Sequence, residues 1–191
     1  MKEDKIAIVQ NPKNPAPQEI LDTLEVIEVV YCGFDDAIHQ GAIIINEVVS
    51  EDVRKFFDLA LKIKFPIKKI IPISDPKYHW DDDISCEDNN SSGFNYRNIG
   101  GSNKLSKHAF GLAFDINPVQ NIYVRYDKGL KEVFRAPTNG IYNPETPGTL
   151  VEGDPLVTLM KNLGWTWGGD WTPESGRIDY QHFEKDMVLD V

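Results

Sequence analysis

Two of the four histidines stand in segments where a nearby carboxylate interrupts an apolar or aromatic run. In LSKHAFGLAFDINP, residues 105–118, His108 precedes Asp115 by seven positions. Read as extended chain, GLAFDIN (111–117) turns Leu112, Phe114 and Ile116 to one face and Ala113, Asp115 and Asn117 to the other. A carboxylate among such neighbours loses its hydration, and a cation or hydrogen bonds must replace it. A metal ion would serve, with His108 as a nitrogen ligand; a plain hydrogen bond from Asp115 to a neighbouring loop is the simpler alternative.

The second segment, GWTWGGDWTPESGRIDYQHFE (164–184), holds three of the four tryptophans and sets Asp179 three residues ahead of His182. His182 would complete a set of two imidazoles and one carboxylate, leaving a fourth tetrahedral position for water. That composition belongs to catalytic rather than structural zinc. Asp179 is placed to reach such a water as general base from outside the ligand set. On a flat strand Asp179 and His182 would face opposite ways, so Asp179 is expected in a loop or bulge before the last strand begins. Arg97, in GFNYRNIGGS, is suited to stabilise an oxyanion or to grip a carboxylate with both N–H edges. Taken alone, a solvated surface arginine is the plainer reading.

Other candidates carry less. His39 and His79 have no ligand-spaced neighbours, and a hydrogen-bonded or loop histidine is expected for each. Asp81, Asp82 and Asp83 lack the alternating oxygen ligands and glycine of a calcium loop, so they read as a solvated acidic stretch or a support for the cleft. Cys32 and Cys86 have no CxxC spacing and read as ordinary thiols.

The elements that must position these residues follow from pattern. LEVIEVVYCGF (24–34) and GAIIINEVV (41–49) are β-branched runs expected to pair as a hairpin. From Ser50 the apolar spacing turns helical through Val53, Phe56, Phe57, Ala60 and Leu61, with Ser50 as cap and Pro66 as stop. IKKIIPIS (67–74) reads as a third strand and GLAFDIN as a fourth. Asp154 as cap, Pro155 at the first position and Gly164 at the end bound a helix. RIDYQHFE reads as a closing strand. More than thirty residues with little periodicity separate strands three and four, and a second irregular stretch follows Pro118; loops of this size are expected to build a cleft.

At 191 residues the chain suits one well-buried domain, taken as 23–191, after an arm or linker at 1–22 marked by Pro12, Pro15 and Pro17. A net charge of −10 repels phosphate backbones and anionic lipid, which argues against a nucleic-acid partner. No apolar run is long enough for a membrane span, and the N-terminal residues do not read as a signal peptide. The fold class expected is α+β, a small, largely antiparallel sheet flanked by helices.

Ser106, His108, Gly111, Ala113 and Asp115 form an SxHxxGxAxD motif, followed by GWTWGGDW and then DYQHFE. With NNSSGFNYR (89–97), this order resembles the VanY-like family of zinc peptidoglycan peptidases, which includes D-alanyl-D-alanine carboxypeptidases and L-alanyl-D-glutamate endopeptidases. The resemblance implies a Hedgehog/DD-peptidase-like frame with zinc on His108, Asp115 and His182, Asp179 as catalytic base and Arg97 as the electrophilic or substrate-anchoring arginine. It places Ser106 and Trp171 near the substrate, although Trp171 also reads as core. The implied substrate is the stem peptide of peptidoglycan, cut at the cell wall by a D-alanyl-D-alanine carboxypeptidase-type reaction. The alternatives are the endopeptidase cut and a non-catalytic, metal-containing binding module.

Overall fold

A short helix, α1 (Gln18–Leu21), leads into the hairpin that the β-branched runs predict, β1 (Leu24–Cys32) and β2 (Ile38–Asn46). In this computed structural model, which describes residues 10–187, the hairpin register runs from Leu24 opposite Asn46 to Cys32 opposite Ile38. The first nine residues of the expected arm lie outside the described residues. Further along it, Ala16, Ile20 and Leu21 are buried against Leu24, Ile44 and Phe94.

The helix after the hairpin, α2 (Ser50–Lys62), buries Val53, Phe56, Phe57 and Ala60 as the spacing requires. Its start is set differently from expectation. Ser50 already has helical geometry, and a 3-10 turn (Glu47–Val49) runs into the helix from Asn46, whose side chain accepts from the Val48 amide. Its stop also comes before Pro66. Lys64 takes a left-handed φ of 56°, and bonds from Lys64 N to Leu61 O and Phe65 N to Ala60 O close the end in a Schellman motif.

The strand expected over 67–74 does not form. Pro72 removes one ladder donor, and side-chain amides capture others: Asn117 Oδ1 takes the Lys68 amide and Asn90 Oδ1 the Ile71 amide. Only single bridges remain, at Cys32–Pro66 and Ile70–Ser91. The long segment that follows contains a six-residue helix, α3 (Asp82–Glu87), capped by Asp81. At under two turns it was too short to announce itself by periodicity.

The remaining elements are β3 (Ala113–Asp115), β4 (Tyr123–Tyr126), β5 (Glu132–Ala136), α4 (Pro155–Asn162), β6 (Thr166–Trp167), β7 (Arg177–Asp179) and β8 (His182–Glu184). In place of one sheet there are three small antiparallel ones: β1–β2, β3–β8–β6 and β5–β4–β7. The β4–β5 hairpin occupies the stretch after Pro118 that the sequence left irregular. Helix α4 has the predicted ends, with Asp154 accepting from the Leu156 and Val157 amides and Gly164 at a φ of 80°.

An aromatic core joins α2 to the β3–β8–β6 sheet. Phe114 stacks on Phe183 at 5.2 Å and meets Phe56 and Trp165 edge-on at 5.2 and 5.3 Å. Leu112, Phe114 and Ile116 all lie in this core, which is the face the alternation assigned to them. Cys32 and Cys86 are buried free thiols. Among the described residues no helix is long and apolar enough to cross a membrane.

Candidate metal centre

Because Phe114 and Phe183 point into the core, their neighbours Asp115 and His182 point out of it. The two are direct cross-strand partners in the β3–β8 register. His108 arrives from a 3-10 turn (Lys107–Phe110), capped by Ser106 Oγ, which accepts from the His108 amide. The turn ends at Gly111 with a φ of 64°, where a Cβ would stand 2.6 Å from the Asn46 amide nitrogen. Only glycine lets the chain reverse there against β2.

These three elements bring His108 Nε2, His182 Nδ1 and the Asp115 carboxylate together. The two nitrogens are 3.1 Å apart, Asp115 Oδ1 is 2.9 Å from His182 Nδ1, and Asp115 Oδ2 is 3.2 Å from His108 Nε2. All three side chains are buried. The other ring nitrogen of each histidine meets a group that can only accept. His108 Nδ1 lies 2.7 Å from Gly93 O, and His182 Nε2 lies 3.0 Å from Glu184 Oε2. With the outer nitrogens donating to these acceptors, the inner nitrogens are the ones that would be free to ligate a cation beside Asp115.

Such a triangle of lone pairs fits a cation. Tetrahedral zinc with ligand bonds of about 2.0–2.1 Å holds its donors roughly 3.3 Å apart, close to the spacing seen. As protein groups alone, burial disfavours the Asp115 anion, but the two histidines outweigh it and hold the carboxyl far below the usual range. Burial likewise opposes charge on His182, and hydrogen bonds to Asp115 and Glu184 outweigh it, raising this ring to about 10.

Asp179 ends β7, and the two-residue link Tyr180–Gln181 carries the chain across to His182 in the other sheet. The expected loop position is thus the last residue of a separate short strand, which solves the same facing problem. A Cβ on Gly168 would lie 2.4 Å from the Asp179 carbonyl oxygen, so the first glycine of GWTWGGDW is what lets β7 pass this close. Asp179 Oδ1 is buried without a hydrogen-bond partner. Burial, seconded by the Asp115 charge, pushes this carboxyl up to about 7 against the pull of His182 and Arg177.

Arg97 reaches the same cleft, its Nη2 2.7 Å from Asp82 Oδ2 at the head of α3. The acidic run 81–83 thus supplies a helix cap and an arginine partner. Burial disfavours charge on Arg97, but Asp82, Asp115 and Asp179 outweigh that and raise its pKa. Trp171 lies between the His182 ring at 5.7 Å and the Arg177 guanidinium at 4.3 Å, half-exposed rather than in the core. Ser106, His108, Asp115, Trp171, Asp179 and His182 line one cleft of about 340 Å³, with Arg97 on its wall. His39 pairs with Asp35 on the surface, and neither residue lines this cleft.

Sequence reasoning passed over Glu184, although its spacing of two from His182 on an extended segment was the available signal. It also passed over the carbonyl of Gly93, which no pattern in side chains could reveal. Residues 100–185, a little under half of the chain, match the family model described as D-alanyl-D-alanine carboxypeptidase. No curated protein and no solved structure matches.

Proposed function

We propose that this chain, whose residues 100–185 belong to the VanY-like D-alanyl-D-alanine carboxypeptidase family, is a zinc metallopeptidase that removes a terminal D-alanine from peptidoglycan stem peptides. It would do so at the cell wall, outside the cytoplasm, within a Hedgehog/DD-peptidase-like α+β frame spanning 23–191. The observation that carries the reading is the orphaned carboxylate of Asp179 beside the His108–Asp115–His182 triangle. A module that only bound the wall would have no use for a second buried carboxylate lacking a partner.

His108 Nε2, Asp115 and His182 Nδ1 would hold the zinc, while Gly93 and Glu184 keep the two rings in the ligating tautomer. The chemistry zinc supplies there is Lewis acidity, which acidifies water and polarises an amide carbonyl. Asp179 takes the proton of the attacking water and returns it to the leaving amine. Arg97, steadied by Asp82, faces the charge that grows on the carbonyl oxygen. Ser106 contributes by capping the turn that aims His108, and Trp171 by walling the cleft beside His182.

The test is incubation of the zinc-loaded protein with defined muropeptides, read by product mass. Loss of one terminal D-alanine supports the carboxypeptidase cut, and separation between L-alanine and D-glutamate would replace it with the endopeptidase cut. Asp179→Ala is expected to lower turnover about 10²–10⁴-fold with zinc content retained. Full turnover in that variant removes Asp179 from the role of base.

A further inference from the structure

One face of the β5–β4–β7 sheet lines the cleft, and it carries two arginines that the chemistry above does not use. Arg125 and Arg177 are direct cross-strand partners, so their side chains emerge side by side from the same face. Like charges placed opposite one another in a sheet repel. Among the described residues neither guanidinium has an ion-pair partner. Of the other charged groups lining the cleft, Asp82 pairs with Arg97, Asp115 and Glu184 with the histidines and Lys107 with Asp186, while Asp83 beside Asp82 forms no ion pair with either arginine. Asp179, two positions beyond Arg177, is within electrostatic reach but forms no ion pair with it.

Each guanidinium instead lies against an aromatic ring. Arg125 sits 4.4 Å above Phe134, its partner on β5, and Arg177 sits 4.3 Å above Trp171. A ring under the guanidinium plane fixes its orientation and leaves N–H groups at its edge for acceptors, one of which Arg177 shares with the Tyr123 hydroxyl in the same cleft. Arg125 Nε is buried with no hydrogen-bond partner. Both arginines line the catalytic cleft and its open extension, together with Tyr123, Ile99 and Gly100. In a chain of net charge −10 this is a local concentration of unpaired positive charge.

Resting on the peptidase reading above, we infer that Arg125 and Arg177 form a carboxylate-binding subsite that selects stem peptides bearing a free carboxylate next to the scissile bond. Arg177 precedes Asp179 by two residues on β7, a rise of roughly 7 Å. An arginine side chain spans that distance back toward the reacting carbonyl. Two sources present the same group there. One is the C-terminal carboxylate of D-alanine; the other is the α-carboxylate of a D-glutamate joined to the next residue through its γ-carbon. In both, the carboxylate is attached to the carbon that bears the scissile nitrogen.

Two probe pairs separate the sources: N-acetyl-D-alanyl-D-alanine against its C-terminal amide, and N-acetyl-L-alanyl-γ-D-glutamyl-L-lysine against the same peptide amidated at the α-carboxylate. The zinc-loaded wild type is expected to prefer the free acid of one pair by about 10–100-fold in kcat/KM, mainly through KM. The double variant R125M/R177M is expected to bring that ratio below about threefold, with zinc content and melting temperature close to wild type. If the double variant fails to fold, R125M and R177M singly must each cut the ratio. A ratio unchanged by the substitutions, or a wild type indifferent to amidation in both pairs, overturns the subsite. Calorimetric binding of the same probes keeps the two readings apart. Acid-selective binding that is lost in R125M/R177M, without turnover of any probe, would uphold the subsite and reject the peptidase.

Discussion

At the scale of single residues, the two carboxylates of the cleft are shifted in opposite directions by their surroundings. Asp115 faces two imidazoles and stays ionised; Asp179 faces burial and the Asp115 charge, which push it up to about 7. A bound cation among the ligands pulls Asp179 down again. In its proposed role as base Asp179 must be deprotonated to act, so kcat/KM should fall about tenfold per pH unit on the acid side, with the limb centred below 7. A limb centred above 7 would mean that no cation acts on this carboxylate. Glu184 is the second residue whose role can be isolated. Glu184→Gln keeps the shape but weakens the hydrogen bond that orients His182, and a loss of about 10–100-fold in zinc affinity or activity is expected, measured by chelator competition. His108, Asp115 and His182 stood out in the sequence because their residue types are rare in apolar runs. Glu184 did not, since one more acid in a chain with thirty Asp and Glu is conspicuous only once its strand partner is known.

At the scale of elements, the centre depends on alternation in two three-residue strands. Phe114 and Phe183 anchor β3 and β8 in the aromatic core, and that anchoring turns Asp115 and His182 toward the cleft. Phe114→Ala should therefore destabilise the fold by about 3–5 kcal/mol in denaturant titrations and weaken zinc binding in what remains folded. A cost below about 1 kcal/mol would show that β3 is held by something other than this ring. The hairpin, α2 and α4 were legible in the sequence because each is long or strongly capped. The strand expected over 67–74 was a misreading of the same kind of apolar run. Its amides are captured by Asn90 and Asn117, residues 19 and 49 positions away, and no local pattern carries that information. The β4–β5 hairpin was missed for a related reason: Arg125, Phe134 and Arg177 look like scattered surface residues until the three strands are placed together.

At the scale of the whole molecule, the three proposed ligands come from a capped turn and from two strands of one sheet, β3 and β8, whose cross-strand pair Asp115 and His182 is 67 positions apart in sequence. The three donor groups stand 2.9–3.2 Å from one another in a buried centre, where a cation would replace the protons that otherwise link them. A ligand bound only by the folded chain stabilises it by mass action, about 2.7 kcal/mol when free zinc is a hundred times its Kd. For a chain of this size each kcal/mol moves the melting temperature by about 2–4 °C. Chelation should thus lower Tm by roughly 5–10 °C, reversibly on adding zinc, in scanning calorimetry. His182→Ala should melt at the same temperature with and without the chelator. Asp179→Ala, which touches no ligand position, should keep the shift. If all three proteins respond alike, zinc binds elsewhere, and the convergence of His108, Asp115 and His182 has some purpose other than a metal.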